Sequence, residues 1–332
     1  MRTEPVVAVV IPTYNRAHLL PRLLTALRAQ VDTPPFEVVV VDDCSTDDTA
    51  HVLATAASHP PASPLVSVRR TSRNAGPAAA RNIGWRASRA PLVAFTDDDC
   101  VPHPGWVATM AAALQDADVV QGRTTADQSG FVRRGPFPRM QIYEHWSDYF
   151  AGCNVGYRRR VLERLDGFDE TFRRPFGEDV DLGWRAVESG ATTGWADNAV
   201  VVHDVETTGD IVRDWFRWVR DTSRTQWAAL TVKRHPVFRR TMYRRWFFRS
   251  THPPTLLAIA GVGGLLTPGR TRRRWLWAAA LGVPYVMNRL AADRLPVGLK
   301  ARIVMLPPTF VGDVAEVAAV LRGAIRFRTV LV

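Results

Sequence analysis

Leu92-Val93-Ala94-Phe95-Thr96-Asp97-Asp98-Asp99-Cys100 drives an apolar run straight into three consecutive carboxylates. Leu92 to Phe95 has the uninterrupted apolar character of a buried strand, which puts the acids at its C-terminal edge. Three adjacent carboxylates repel one another at neutral pH, so they either splay into water as a plain acidic turn or hold something positive between them. Alternate side chains of an extended segment share a face, so Asp97 and Asp99 can converge on one cation while Asp98 points elsewhere. Oxygen ligands of that kind suit Mg or Mn, the usual escorts of a diphosphate.

The sequence before this stretch repeats one theme. Val6 to Ile11, Phe36 to Val41 and Leu65 to Val68 predict strands covered on both faces, while Leu19 to Leu27, Ala50 to Ala57 and Ala78 to Ala87 predict helices. Polar turns join them: Pro12-Thr13-Tyr14-Asn15, Asp42-Asp43-Cys44-Ser45-Thr46-Asp47-Asp48-Thr49 and Asn74-Ala75-Gly76-Pro77. Gly76 suits a tight approach and Pro77 a first helical turn. Such alternation implies an α/β fold with a doubly wound, mostly parallel sheet and right-handed crossovers, whose ligands gather at the C-terminal ends of the strands. Beyond the acids, Val107 to Leu114 predicts a helix and Val119 to Gly122 a strand. Residues 123–150 are rich in Arg, Gly, Pro and aromatics without a period, as expected of a long active-site loop.

Four segments in order carry a family resemblance. Val9-Val10-Ile11-Pro12-Thr13-Tyr14-Asn15-Arg16, Val41-Asp42-Asp43-Cys44-Ser45-Thr46-Asp47, Asn74-Ala75-Gly76 with Ala80-Arg81-Asn82-Ile83-Gly84, and Asp97-Asp98-Asp99 together resemble the family 2 glycosyltransferases with the GT-A fold. The resemblance covers roughly residues 6 to 205. It implies a donor site in which Pro12, Thr13 and Tyr14 lie against the nucleotide, Asp42 or Asp43 bonds base or ribose, Arg81 assists, and Asp98 lies near sugar or ribose. It maps the Asp-x-Asp metal motif onto Asp97 and Asp99. Plainer readings stand beside these: Tyr14 as a packing aromatic, Asp42 and Asp43 as helix caps, for which Ser45 and Asp47 are equally suited, and Arg81 as a neutraliser of acidic turns.

A second constellation is Phe176-Gly177-Glu178-Asp179-Val180-Asp181-Leu182-Gly183-Trp184-Arg185, where a glycine turn precedes acids at the start of a predicted helix. The helix dipole favours ionised carboxylates there, the state a general base needs. By the resemblance, Asp179 deprotonates the acceptor hydroxyl in an inverting transfer that requires no enzyme nucleophile. Glu178, Asn154 and Trp184 fall on the acceptor side, and His203, ending the run Val200-Val201-Val202, completes the metal site. The diphosphate of a UDP-, dTDP- or GDP-linked sugar is then expected to bridge through Mn or Mg to Asp97, Asp99 and His203, with a glycan or lipid-linked acceptor. A nucleotidyltransferase shares the strand-end acids and metal but not the Glu-Asp base. A non-catalytic sugar-nucleotide or membrane-surface binding protein needs no such complete acid set.

Charge divides the 332 residues unevenly. Residues 1–206 carry 21 basic and 26 acidic side chains, and residues 207–332 carry 22 and 6. This points to a body at 1–206 and a basic, largely helical appendage at 207–332 that meets an anionic surface. From Ile211 to Leu230, Val212, Trp215, Phe216, Val219 and Trp227 recur at helical spacing while Arg213, Arg217, Arg220 and Arg224 line another face. Thr255 to Leu266 and Trp275 to Met287 are apolar but too short to span a bilayer, which predicts an interfacial hairpin, and Val311 to Ile325 predicts a last helix. No nucleic-acid-binding signature occurs. Cys44, Cys100 and Cys153 stand at no metal-like or disulfide-framework spacing, and Met1-Arg2-Thr3-Glu4-Pro5 leads directly into a strand. Both features are expected of a cytoplasmic protein held at the inner face of the plasma membrane.

Overall fold

The computed structural model describes residues 4–58, 64–126, 137, 141–204, 208–266, 272–291 and 298–332. The chain divides into two compact units, one of Met1–Asp127 and Met140–Asp204, the other of Gln128–Arg139 and Val205–Val332.

The first unit is built on an eight-stranded sheet of order β3-β2-β1-β4-β7-β6-β8-β5. Its first half is parallel: β1 (Val7–Thr13) lies between β2 (Phe36–Asp42) and β4 (Leu92–Thr96), with β3 (Leu65–Arg70) outside β2. All four are followed by polar turns at the same edge, so the register that pairs Thr13 with Asp42 also brings the acidic segments together. The helices α1 (Leu20–Arg28), α2 (Thr49–Ala57) and α3 (Pro77–Ala87) cover this half. Helix α3 packs close because Gly84 has no side chain: a Cβ there would stand 2.4 Å from Val10 Cγ1.

The second half departs from the parallel expectation. Strand β7 (Asn154–Arg158) runs antiparallel between β4 and β6 (Val119–Ala126), and the three-residue β5 (Cys100–Pro102) pairs antiparallel with β8 (Thr193–His203). Between these strands run α4 (Trp106–Asp116), α5 (Arg159–Leu165) and α6 (Glu178–Glu188). The 123–150 segment is only partly loop. Strand β6 continues to Ala126, with a register shift between Gly122 and Thr124, and Tyr143 exchanges two 2.8 Å backbone bonds with Thr124. The remainder of that expectation, residues 127–136 and 138–140, lies outside the described residues.

In the second unit, the predicted helix from Ile211 to Leu230 is broken into α7 (Ile211–Thr222), a 3-10 turn at Ser223–Trp227, and α8 (Ala228–Arg234). The tryptophans of α7 turn inward rather than forming an outer stripe. Trp215 Nε1 donates to Pro308 O at 2.8 Å, and Trp218 fills the space left by Gly312, where a Cβ would stand 1.7 Å from its ring. Helices α9 (His252–Leu266) and α10 (Arg272–Ala291) form a hairpin, and α11 (Leu299–Val304) precedes the long α12 (Leu306–Phe327). Buried polar pairs tie the hairpin to α12: Arg289 and Tyr285 bond Asp313, and His252 Nε2 stands 3.4 Å from Glu316. Among the described residues, no helix is long and apolar enough to cross a membrane.

Candidate active site

The three consecutive acids do not share a partner. Asp97 Oδ1 accepts from Arg81 Nη2 at 2.7 Å. The buried Asp98 lies 3.7 Å from Arg16 Nε, and Asp99 Oδ1 lies 3.6 Å from His203 Nε2. Burial, with Asp99 alongside and Arg16 opposing, pushes the Asp98 carboxyl up to about 7. Asp97 and Asp99, expected to converge on one cation, face different partners in this structure. Among the described residues, the group whose ligand atoms lie within 4.8 Å of one another is Asp99, Cys100 and His203, without Asp97. A buried guanidinium holds Asp97 instead.

That guanidinium, Arg81 on α3, is 4% exposed and reaches two acids from different parts of the chain, Asp97 after β4 and Glu178 at the start of α6. Its Nη1 donates to Glu178 Oε1 at 2.9 Å, and Gly152 provides the room, since a Cβ there would stand 2.8 Å from Nη2. Burial opposes its charge, yet Asp97, Glu178 and Asp179 outweigh this and raise its pKa further. Arg81, expected to assist donor binding, stands in this structure as a strut between two carboxylates.

Asp42 and Asp43 are buried and already bonded. Asp42 accepts from the Ser45 N–H at 2.8 Å and from Arg70, and Asp43 accepts from the amides of Ala75 and Gly76 and from Thr71 Oγ1. They knit the loops after β2 and β3, and neither caps α2 with its side chain. Gly76 belongs to this knot by conformation: its φ of +93° is left-handed, and a Cβ would stand 2.4 Å from Arg173 O. Asn15, also left-handed at φ 55°, accepts from Thr46 N at 2.7 Å and ties the first loop to the second. Tyr14 projects from that loop at 43% exposure, with Pro12 and Thr13 below it.

Asp179 sits in the first turn of α6, after Gly177 at φ 94°. Its Oδ2 accepts from Gly152 N at 3.0 Å and its Oδ1 from Val180 N at 2.8 Å. The helix dipole predicts an ionised acid here, but burial and Glu178 win and push the carboxyl up to about 7. Two residues expected on the acceptor side have internal partners. Asn154 is buried with its amide spent on Arg123 O, Ala199 O and the Trp106 Nε1–H, and Trp184 is buried with its Nε1–H donated to Asp148 O. Sequence reasoning gave Arg16 and Cys100 no role, and placed Gly152 only within an acceptor-side strand without its bond to Asp179. Arg16 stands inside a recognised motif, whereas Cys100 became visible only with the β5–β8 register.

The fold is of the GT-A type. It aligns with a mannosyltransferase from Pyrobaculum calidifontis, solved with GDP-Man and Mn2+, over 98% of this chain and 88% of that one, at TM-score 0.55 and 22% identity. It also aligns with S. aureus TarS 1-349, solved with UDP-GlcNAc, over 97% and 92%, at TM-score 0.51 and 19% identity. Residues 8–166 match the profile for Glycosyl transferase family 2, and the chain belongs to that family. It is 32% identical over 254 residues to the pre-mycofactocin glycosyltransferase of Mycobacterium tuberculosis, covering 69% of this chain and 48% of that protein. The chain thus spans about half the length of this relative.

Proposed function

We propose that the chain transfers a sugar, with inversion, from a nucleotide diphosphate sugar to a hydroxyl acceptor, and that Asp179 is the general base. The observation carrying this reading is the half-buried Asp179 carboxylate, fixed by the Gly152 amide and pushed up to about 7, where a base is matched to neutral operation. As the acceptor oxygen attacks the anomeric carbon, its proton passes to Asp179 and the bond to the leaving nucleoside diphosphate breaks. One base suffices for a single in-line displacement, so no enzyme nucleophile is invoked.

The donor set of Asp99 and His203 fits a divalent cation, Mn or Mg, which when bound supplies charge neutralisation to the leaving diphosphate. His203 is suited to hold it, because its Nδ1 stands 2.7 Å from Asp204 O. A carbonyl only accepts, so Nδ1 carries the proton and Nε2 presents a lone pair. Tyr14 is positioned to stack on a base. The two aligned structures were solved with GDP-Man and UDP-GlcNAc, which supports a GDP-, UDP- or dTDP-linked sugar here; the acceptor in this reading is a glycan or lipid-linked hydroxyl. The test is Asp179→Asn: donor affinity should hold while turnover falls by about 100-fold or more. Lost donor binding with normal turnover would remove Asp179 from the base role. Release of pyrophosphate in place of nucleoside diphosphate would favour nucleotidyl transfer.

The second unit supports a peripheral place on an anionic membrane at its cytoplasmic face. Helix α10 exposes Trp275 at 70% and Trp277 at 68% beside Arg273 and Arg274, and α7 exposes Ile211, Val212 and Phe216. Tryptophan is favoured at the lipid boundary, and each basic residue near an anionic surface contributes about 1 kcal/mol. The free thiols of Cys44, Cys100 and Cys153 suit a reducing compartment. Co-sedimentation with anionic vesicles should weaken at high salt without vanishing, and no binding at low salt would refute this placement.

A further inference from the structure

Asp99 Oδ1 has two neighbours at nearly equal distance, His203 Nε2 at 3.6 Å and Cys100 Sγ at 3.7 Å. The fold imposes this grouping. Cys100 and His203 are direct partners in the antiparallel β5–β8 ladder, so their side chains stand on the same face, and the Asp204 N–H donates to Asp99 O at 2.7 Å to hold the acid beside them. Cys100 and His203 are buried, whereas Asp99 is partly open, so the trio is reached from the side of the carboxylate. The carbonyl of Asp204 has already selected the imidazole tautomer with a bare Nε2 facing the group.

With the Cys100 sulfur included, the donor type departs from a magnesium-like site. Octahedral ligands around Mg at 2.0–2.1 Å stand roughly 3 Å apart, and thiols are poor partners for so hard an ion. Tetrahedral ligands at 2.0–2.3 Å stand roughly 3.3–3.8 Å apart, which matches the two distances from Asp99 Oδ1, and carboxylate oxygen, imidazole nitrogen and thiolate sulfur are each zinc ligands.

We propose that Cys100 is a third protein ligand beside Asp99 and His203, and that it makes this site selective for borderline-soft ions such as Zn2+, Co2+ and Cd2+ over Mg2+. The proposal rests on the reading of Asp99 and His203 as cation ligands. On binding, the Cys100 S–H bond breaks, its proton passes to buffer, and a sulfur–metal bond forms with no change of oxidation state. Zinc then occupies the position of the hard cation with three protein ligands and one open position, so that low zinc concentrations compete with Mn or Mg for the site.

The test uses the metal-stripped full-length protein, titrated with Co2+ and followed by absorption. A thiolate-to-cobalt charge-transfer band should grow to one equivalent, persist in Cys153→Ser and vanish in Cys100→Ser. Zn2+ should displace the cobalt, and its affinity should fall at least about tenfold in Cys100→Ser, while Mn2+ binding measured by electron paramagnetic resonance stays within about twofold. If Cys100→Ser fails to fold, Cys153→Ser carries the assignment, because Cys153 is the thiol beside Cys100: a band that persists in it leaves the sulfur to Cys100, and a band lost in it would overturn the proposal. Mn2+ binding without a sulfur band would overturn the proposal and leave the cation reading of Asp99 and His203 standing. Binding of neither Co2+ nor Mn2+ would overturn both.

Discussion

Removing the Arg81 guanidinium should damage stability and acid–base chemistry together. In Arg81→Met the side chain keeps much of its apolar length, but Asp97 and Glu178 lose donors at 2.7 and 2.9 Å. Deleting one partner of a buried ion pair costs about 3–5 kcal/mol, because the remaining charge stays in a poorly solvated place. Asp97 is partly exposed and can rehydrate, whereas Glu178 is 3% exposed and cannot, so the lower end, about 3 kcal/mol, is the expectation. For a unit of this size, about 2–4 °C of melting temperature accompanies each kcal/mol, which gives a fall of roughly 6–12 °C by calorimetry on the full-length chain. Protonating the orphaned carboxylates removes their buried charge. The folded variant therefore binds more protons than its unfolded chain, and its deficit should shrink as pH falls.

A second readout separates this strut from a donor contact. Arg81 holds the Asp179 pKa down against burial and Glu178, so its loss should move the acid limb of the kcat/KM profile to higher pH. Adding Glu178→Gln to Arg81→Met should recover much of the lost stability by removing the stranded charge. A melting temperature within 2 °C of wild type, an unmoved limb and a raised donor KM would together refute the strut and return Arg81 to donor binding.

In the wild-type enzyme, kcat/KM should rise with pH through about 7 as Asp179 deprotonates, and a limb near the ordinary carboxylate value would contradict the burial argument. Gly76→Ala should cost about 1–3 kcal/mol of stability in urea unfolding, since the residue needs φ +93° and a Cβ would stand 2.4 Å from Arg173 O; an unchanged midpoint would show that the loop can move away. Trp275→Ala with Trp277→Ala should lower vesicle binding while shifting stability by no more than about 0.5 kcal/mol, because both rings are exposed. A large loss of stability would instead indicate that they pack against protein.

The front half of the catalytic fold was legible because its signal is local. Val7 to Ile11 and Val38 to Val41 are apolar at every position, which only a strand covered on both faces requires, and each run stops at a turn residue. Register in the second half was not legible. Cys100-Val101-Pro102 is too short and too plain to read as a strand, yet its pairing with β8 is what sets Cys100 beside His203. The repulsion within the Asp triplet was legible, but its partners lay elsewhere in the chain, in Arg16 after β1 and Arg81 on α3. The ionisation of Asp179 was misjudged for a related reason. The helix terminus is visible in sequence, while the burial that outweighs it depends on Gly152 and Glu178 being packed around it.

These partnerships explain how so acidic a site stays folded. Two carboxylates 4 Å apart repel by about 4 kcal/mol at an effective dielectric of 20, so Asp42, Asp43, Asp97, Asp98, Asp99, Glu178 and Asp179 cannot stand ionised and unaided in one strand-end region. The chain answers each differently. Arg70 and backbone amides take Asp42 and Asp43, Arg81 takes Asp97 and Glu178 together, Arg16 faces Asp98, and Asp179 moderates its charge by titrating near neutrality. Arg81 is the member that cannot be exchanged locally, because its two acids follow β4 and open α6, 81 positions apart in the chain from Asp97 to Glu178. Holding both on one rigid fork fixes the distance between the triplet and the turn that carries Asp179. The displacement proposed above, with the leaving group on one side and the proton taken on the other, depends on that distance being constant. The Arg81 Nε, buried without a hydrogen-bond partner among the described residues, is consistent with a guanidinium placed for its two terminal nitrogens rather than for full hydrogen-bond satisfaction.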